Sequence, residues 1–300
     1  MKLSQKVVLK TLRLMPEGLI SAGLKFIPRT PRGRFTHWLA RIRFEHYMNR
    51  TLSHFRVDVD PGPVGPKDLI MKTAVLNEDD APRKLDANFY FESGYTQMLS
   101  WMQILERNGF NLRTASAIME LGCGSARLIR HLRCIDGIKL LGADLTPEMV
   151  GWCGQNLPGI SFHVNGLRPP LQFAEPNSFD LVFAASVFTH IPLETQHLWI
   201  QELFRIIRPG GFLLCDVLGR WHQERMLNAE EMRNLRQKGA LTLTPDDPNA
   251  SLSTKVIKSW DVFQTRQQVL NAFGTSFEVR DYIPAAIDLL VLQKPRLMHD

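Results

Sequence analysis

The sequence predicts an α/β protein built on a doubly wound, mostly parallel sheet, and three observations carry that prediction. Apolar runs of strand length begin at Ala117, Leu140, Leu181 and Phe212. They are continuous rather than alternating, which suits strands covered on both faces. Helical patterns lie between these runs, and a βαβα order points to two layers of helices around one sheet. The first run ends in Gly122-Cys123-Gly124, a turn in which the chain can bend sharply and approach a ligand with no Cβ in the way. Open α/β sheets bind ligands at this carboxyl edge of the strands.

Each element follows from its residues. Ala117 to Leu121 reads as a buried strand with Glu120 near its carboxyl end, followed by the glycine turn and the basic start of a helix through Arg127 and Arg130. The next run, Lys139 to Asp144, ends in a carboxylate about twenty residues on, where folds of this kind grip ribose hydroxyls. Thr146 is placed to cap a helix whose first residue is Pro147, where the missing N–H costs nothing, and Pro158 should stop it. Trp199, Leu203 and Ile206 share one helical face; Pro209-Gly210-Gly211 should end that helix and turn the chain into a strand over Phe212 to Val217. After it the pattern breaks. Residues 219–263 carry a helix-like segment, Glu224 to Lys238, and a polar loop, Thr242 to Asn249, in the usual place for a cover over a substrate. Trp221, His222, Trp260 and Phe263 there could line a pocket for a ring or simply pack in a core.

The ligand at the glycine turn is narrowed by what the turn lacks. A dinucleotide fingerprint needs a third glycine at position 127, which is Arg, and no Gly-x-x-x-x-Gly-Lys-Ser/Thr loop is present. A ligand without phosphates fits best. The run Glu120-Leu-Gly-Cys-Gly124 resembles the first motif of the class I S-adenosylmethionine-dependent methyltransferases. Gly142-Ala-Asp-Leu-Thr-Pro-Glu-Met149 resembles their second motif, and Phe179 to His190 their fourth strand with the loop facing the reacting methyl. Leu203 to Leu214 is similar to their helix, Pro-Gly-Gly turn and fifth strand. The resemblance spans Asn88 to Pro295. It implies a Rossmann-like, doubly wound seven-stranded sheet closed by a hairpin, Phe277 to Ile283 and Asp288 to Gln293, with an antiparallel last strand.

The same resemblance implies S-adenosylmethionine as cofactor and assigns residues to it. Glu120, Gly122 and Gly124 would hold its methionine end, and Asp144, with Leu145 beside it, its ribose. Asn165 and Gly166 stand where relatives contact adenine; the Asn165 side-chain carbonyl could accept from the amino group. Ser186 would border the sulfur. Ser93 and Gly94 resemble a segment that folds over the methionine carboxylate in some relatives, and they could equally belong to the capped start of a helix Tyr95 to Leu105. His190 is the candidate general base, since imidazole titrates in the range suited to taking a proton from a hydroxyl or amine; it could instead orient the loop or cap the helix near Pro192. Methyl transfer needs no metal, and no metal site is expected. The acceptor would be an oxygen or nitrogen of a small molecule, with a saccharide or a lipid-linked compound in view.

Composition adds bounds. A chain of 300 residues, 44% hydrophobic, can bury one large core and carry an appendage. No apolar stretch reaches the length of a membrane span, and the first residues lack the apolar core of a signal peptide, so the expected location is the cytoplasm. Cys123, Cys134, Cys153 and Cys215 show no Cys-x-x-Cys spacing and read as reduced and buried. Charge is uneven: residues 1–50 carry a net +9 and the remainder −3. The reading is therefore a basic helical extension over 1–60, a Pro/Gly-rich lead-in over 61–87, and a catalytic domain over 88–300 with its insertion at 219–263. Val8, Leu12 and Met15 face away from Lys6, Lys10 and Arg13, so residues 1–15 could lie on an anionic membrane at its inner surface, attract nucleic acid, pack as a solvated helix, or serve as a targeting segment. Two alternatives to a small-molecule enzyme remain: a nucleic-acid methyltransferase using the extension, and a non-catalytic scaffold. The oligomeric state is not legible.

Overall fold

The structure, a computed structural model, describes residues 32–52, 62–65, 87–248 and 259–296. The basic helix expected over residues 1–15, and part of the polar loop of the insertion, lie outside the described residues. Helix α1 (Arg32–Thr51) and helix α2 (Ala87–Arg107) come first. Strands β1 (Ala117–Leu121), β2 (Lys139–Asp144), β3 (Ile160–Val164), β4 (Phe179–Ala184) and β5 (Ile207–Val217) follow, with α3 (Pro147–Asn156) after β2 and α4 (Leu193–Ile206) before β5. The insertion contributes α5 (Arg220–Met226), α6 (Ala229–Lys238) and a two-stranded sheet of β6 (Ala240–Leu243) and β7 (Asp261–Gln264). Helix α7 (Arg266–Gly274) leads to the hairpin β8 (Glu278–Ile283) and β9 (Asp288–Gln293).

Seven strands form one sheet in the order β3-β2-β1-β4-β5-β9-β8. The first five run parallel, and β9 inserts antiparallel between β5 and β8. This is the Rossmann-like seven-stranded sheet with an antiparallel last strand.

Both faces are buried, which explains the unbroken apolar runs. Ile118, Leu140, Leu181, Phe183, Phe212, Leu214 and Val291 point to one core; Met119, Leu141, Val182, Ala184, Leu213, Cys215 and Leu290 point to the other. The period of two survives in direction while polarity is lost. Helix α2 and the segment after the glycine turn cover the first face; α4 and α7 cover the second. Helix α1, within the basic stretch, is part of the first core as well: Phe44 and Met48 are buried against α2, Arg41 pairs with Glu45 at 2.8 Å, and the Tyr47 hydroxyl donates to Glu106. The four cysteines are buried and free.

Four local expectations differ from the structure. The glycine turn is not followed by an α-helix: turns lead to a short 3-10 segment, Ile129–Cys134. The cause is side-chain competition. Arg130 donates to the carbonyls of Ala126 and Ser125, and Glu120 takes the Ile129 N–H. Backbone groups that an α-ladder would use are thus already paired. Helix α2 begins eight residues before Tyr95, so Ser93 lies inside it and donates to Tyr90 O rather than capping a start. Strand β5 begins at Ile207 and runs through the Pro-Gly-Gly turn, because Gly210 donates to Lys294 O and Lys294 N to Gly211 O, extending the ladder from β9. The segment Glu224 to Lys238 is two helices broken at Leu227-Asn228, where Asn228 accepts from the N–H groups of Glu230 and Glu231 and the Glu231 carboxylate returns to Asn228 N. That reciprocal cap starts a new helix.

Candidate active site

The sheet's carboxyl edge brings together residues far apart in sequence. Gly122 follows β1, Asp144 ends β2, Asn165 follows β3 and Ser186 stands two residues beyond β4. Gly122 and Gly124 have φ of +69° and +52°, and Val187 packs where a Cβ on Gly122 would stand. Side chains here would be strained and would collide. Ala126, the next alternate residue, shares the left-handed conformation at φ +59° and is fully buried.

Four side chains fasten this turn. Glu120 is 2% exposed and accepts from Ile129 N at 2.9 Å. The Asp144 carboxylate accepts from Gly124 N at 2.7 Å and from Thr146 N at 2.9 Å. The Tyr90 hydroxyl donates to Ser125 O, and Arg130, 1% exposed, adds bonds to Ser125 O, Ala126 O and Pro63 O. Burial pushes the Glu120 carboxyl up to about 8, against the pull of the Ile129 N–H and of Arg127 and Arg130 nearby. Burial thus favours the protonated form of Glu120 while it braces the turn. Thr146, at the N-terminal cap position of α3, makes no side-chain cap; Asp144 takes its N–H instead.

The end of this edge formed by β2 and β3 is open and apolar. Leu145, Val164 and Leu167, 47, 48 and 68% exposed, are three of the four large hydrophobic side chains on the surface of the described residues. All three cluster at the ends of β2 and β3. Among them Asn165 donates to Gly166 O, and its buried Oδ1 has no hydrogen-bond partner. A buried acceptor left unpaired costs about 1–3 kcal/mol. An exocyclic amino group would satisfy it. Asp144 uses two of roughly four acceptor positions on its backbone bonds and keeps two for a pair of hydroxyls. The donor set thus fits an adenosine without phosphates. Ser93 and Gly94 lie on α2: Gly94 is buried where this helix meets the turn, and a Cβ there would stand 2.6 Å from Arg127 O.

Beyond β4 the chain turns toward the insertion. Ser186 is exposed, has φ +55° and donates its N–H to Asp216 of β5 at 2.6 Å. Burial pushes Asp216 up to about 7, partly offset by that N–H and by Arg127. His190 lies 2.7 Å from the carbonyl of Trp260 through Nδ1. A carbonyl only accepts, so Nδ1 carries a proton in this contact, and in the tautomer it selects the lone pair lies on Nε2. Strand β7 is tied to the same loop by Val262 N donating to Thr189 O, and Leu218 bridges to Phe263. Phe263 is fully buried and packs in a small core with Leu218, Leu235 and Leu243, whereas Trp221 is 43% exposed under the Arg225 guanidinium. Sequence reasoning did not single out Asp216, although a lone acid inside the apolar run of β5 was the available signal. Arg127, which in the sequence only excludes a dinucleotide, donates to Gln97 Oε1 and adds a positive charge near Glu120 and Asp216.

Among the described residues no group of three metal-ligating side chains occurs, and no helix is long and apolar enough to cross a membrane. Residues 119–215 match the model of the methyltransferase domain family. The chain is 32% identical over 94 residues to a demethylmenaquinone methyltransferase of Chlorobaculum parvum, covering 31% of this chain and 37% of that one. It is 25% identical over 131 residues to a sterol 24-C-methyltransferase of Schizosaccharomyces pombe, covering 42% and 34%. The chain thus spans little more than a third of the length of these two relatives. An N-methyltransferase, NodS, of Bradyrhizobium japonicum in complex with S-adenosyl-l-homocysteine overlays 77% of this chain and 98% of its own at 17% identity, with a TM-score of 0.44. The matched segment runs from β1 through β5 and contains the glycine turn, Asp144, Asn165, Ser186 and His190, so over these residues the chain is similar to S-adenosylmethionine-dependent methyltransferases.

Proposed function

We propose that the protein transfers a methyl group from S-adenosylmethionine to an oxygen or nitrogen nucleophile on a small, ring-bearing or lipid-linked molecule. The observation that carries this reading is the placing on one edge of an unpaired acceptor at Asn165, two backbone-anchored oxygens at Asp144 and a His190 ring held through Nδ1 by Trp260 O. S-adenosylmethionine supplies an electrophilic methyl on a sulfonium, displaced in line. The protein fixes the donor, aims the acceptor and keeps water out. In this reading Asp144 accepts the ribose hydroxyls, Asn165 the adenine amino group, and the backbone of Gly122 and Gly124 passes beneath the methionine chain. Glu120 acts from behind the turn by holding Ile129 N. His190 receives the acceptor's proton on Nε2 while Trp260 O steadies the imidazolium.

Two features support a small acceptor that is partly apolar. The exposed Trp221 face lies on α5, just after the end of β5, and the two curated relatives are named for demethylmenaquinone and a sterol. Methyl-labelled S-adenosylmethionine offered with 1,4-naphthohydroquinone, a lipid-linked saccharide and bulk transfer RNA tests this. Label in the quinol or the saccharide is the expected result; label in RNA alone, or no donor binding at all, overturns it. With whichever small acceptor is labelled, His190→Gln should lower turnover about 10²–10⁴-fold, the usual contribution of a general base. Affinity for S-adenosylhomocysteine should stay within about threefold. Turnover within threefold of the parent would leave His190 only a loop anchor.

A further inference from the structure

The loop between β4 and α4 turns on one residue in an unusual conformation. Ser186 is not glycine, yet its φ is +55°. Its side chain is exposed, so packing of that side chain does not impose the conformation. Its backbone is held from β5: the Ser186 N–H points at the Asp216 carboxylate, 2.6 Å away across the gap between β4 and β5. Asp216 is 4% exposed, on a strand whose neighbouring residues Cys215 and Val217 are buried and apolar. A carboxylate in such a place is costly unless its bonds offset the loss of water. Left-handed backbone outside glycine persists only where its surroundings over-determine it, and such positions gather at functional loops.

The turn at Ser186 sets the path of the next four residues. Val187 is directed onto Gly122, where it occupies the space a Cβ would need. His190 N then closes on Val187 O, and Thr189 O accepts from Val262 of the insertion. From these contacts, and resting on the donor-binding reading above, we propose that Asp216 is a positioning residue that holds Ser186 left-handed and so seats the Ser186–His190 loop against the glycine turn that carries the donor. Asp216 acts through the Ser186 amide. The same bond links three neighbouring strands, since β5 holds the loop of β4, which packs on the turn of β1.

The test uses S-adenosylhomocysteine as the probe and glycine as the diagnostic. Asp216→Ala should weaken its binding in calorimetry about tenfold or more. Adding Ser186→Gly to that variant should bring affinity back to within about threefold of the parent, because glycine takes a positive φ without help. Simple loss of packing at Asp216 would not be rescued this way. Should Asp216→Ala fail to fold, the near-isosteric Asp216→Asn gives a second reading through the Ser186 amide proton in NMR. That proton should lie far downfield in the parent and move upfield in the variant. Affinity unchanged in Asp216→Ala, a double variant no better than the single, or a Ser186 amide indifferent to Asp216→Asn would each overturn the proposal. If the parent itself does not bind S-adenosylhomocysteine, the functional reading fails, and the amide shift still decides whether Asp216 holds the loop.

Discussion

Asp144→Ala is expected to weaken S-adenosylmethionine binding about 10²–10⁴-fold, a loss that calorimetry reads directly. The carboxylate accepts the Gly124 N–H at 2.7 Å and the Thr146 N–H at 2.9 Å. In the proposed complex its remaining lone pairs take two ribose hydroxyls. Hydrogen bonds to a charged group contribute about 1.5–3 kcal/mol each, so two of them amount to about 3–6 kcal/mol. The variant also frees Gly124 N from the acceptor that helps fix the turn, so part of the loss should appear as a slower association with a looser loop. Asp144→Asn retains one carbonyl oxygen and should fall between the two. Affinity within threefold of the parent in Asp144→Ala would remove Asp144 from the donor site.

The second large effect is on stability, and its sign is set by burial. Glu120 is held at about 8 inside the protein against an ordinary value of 4.5. A carboxyl raised in the folded state binds its proton more tightly there than in the unfolded chain. Its favourable contribution is complete below about pH 4.5, fades as the pH rises, and is gone above about 8. Each unit within that window costs about 1.4 kcal/mol. Glu120→Gln keeps an oxygen for Ile129 N and cannot ionise. In urea unfolding at pH 5, 6.5 and 8, the variant should therefore gain on the parent by several kcal/mol across the series. A gap between the two that stays constant from pH 5 to pH 8 would mean that Glu120 is ionised throughout. Glu120→Ala, by contrast, leaves the Ile129 N–H without its acceptor and should cost about 1–3 kcal/mol at pH 5.

What was legible in the sequence depends on which forces act locally. The apolar runs at Ala117, Leu140, Leu181 and Phe212 revealed the sheet because burial on both faces removes the alternation of polar and apolar residues. Pro147 and Pro158 bracketed α3 because proline constrains its own φ and lacks a donor whatever surrounds it. The break at Leu227-Asn228 was also readable, since Asn-x-x-Glu is a helix-start signature; a helical pattern over Glu224 to Lys238 concealed it. Other features depend on partners remote in sequence. The extension of β5 through Pro209-Gly210-Gly211 requires Lys294, and the irregular path after Gly124 requires Arg130 to fold back. The site divides in the same way. The positions of Asp144 and Asn165 at strand ends follow from the apolar runs themselves, whereas the bond from Asp216 to Ser186 and the carbonyl of Trp260 on His190 join strands and loops that only the folded chain makes adjacent.

That last contact has a mechanical consequence. Strand β7 adjoins the oxygen that orients the imidazole, pairs with Thr189 through Val262, and carries Phe263 into the small core of the insertion. On the proposed reading, cover and base are thereby geared together: swinging the insertion aside would release the His190 ring, so admission of a reactant and readiness to react would become alternating phases of one motion.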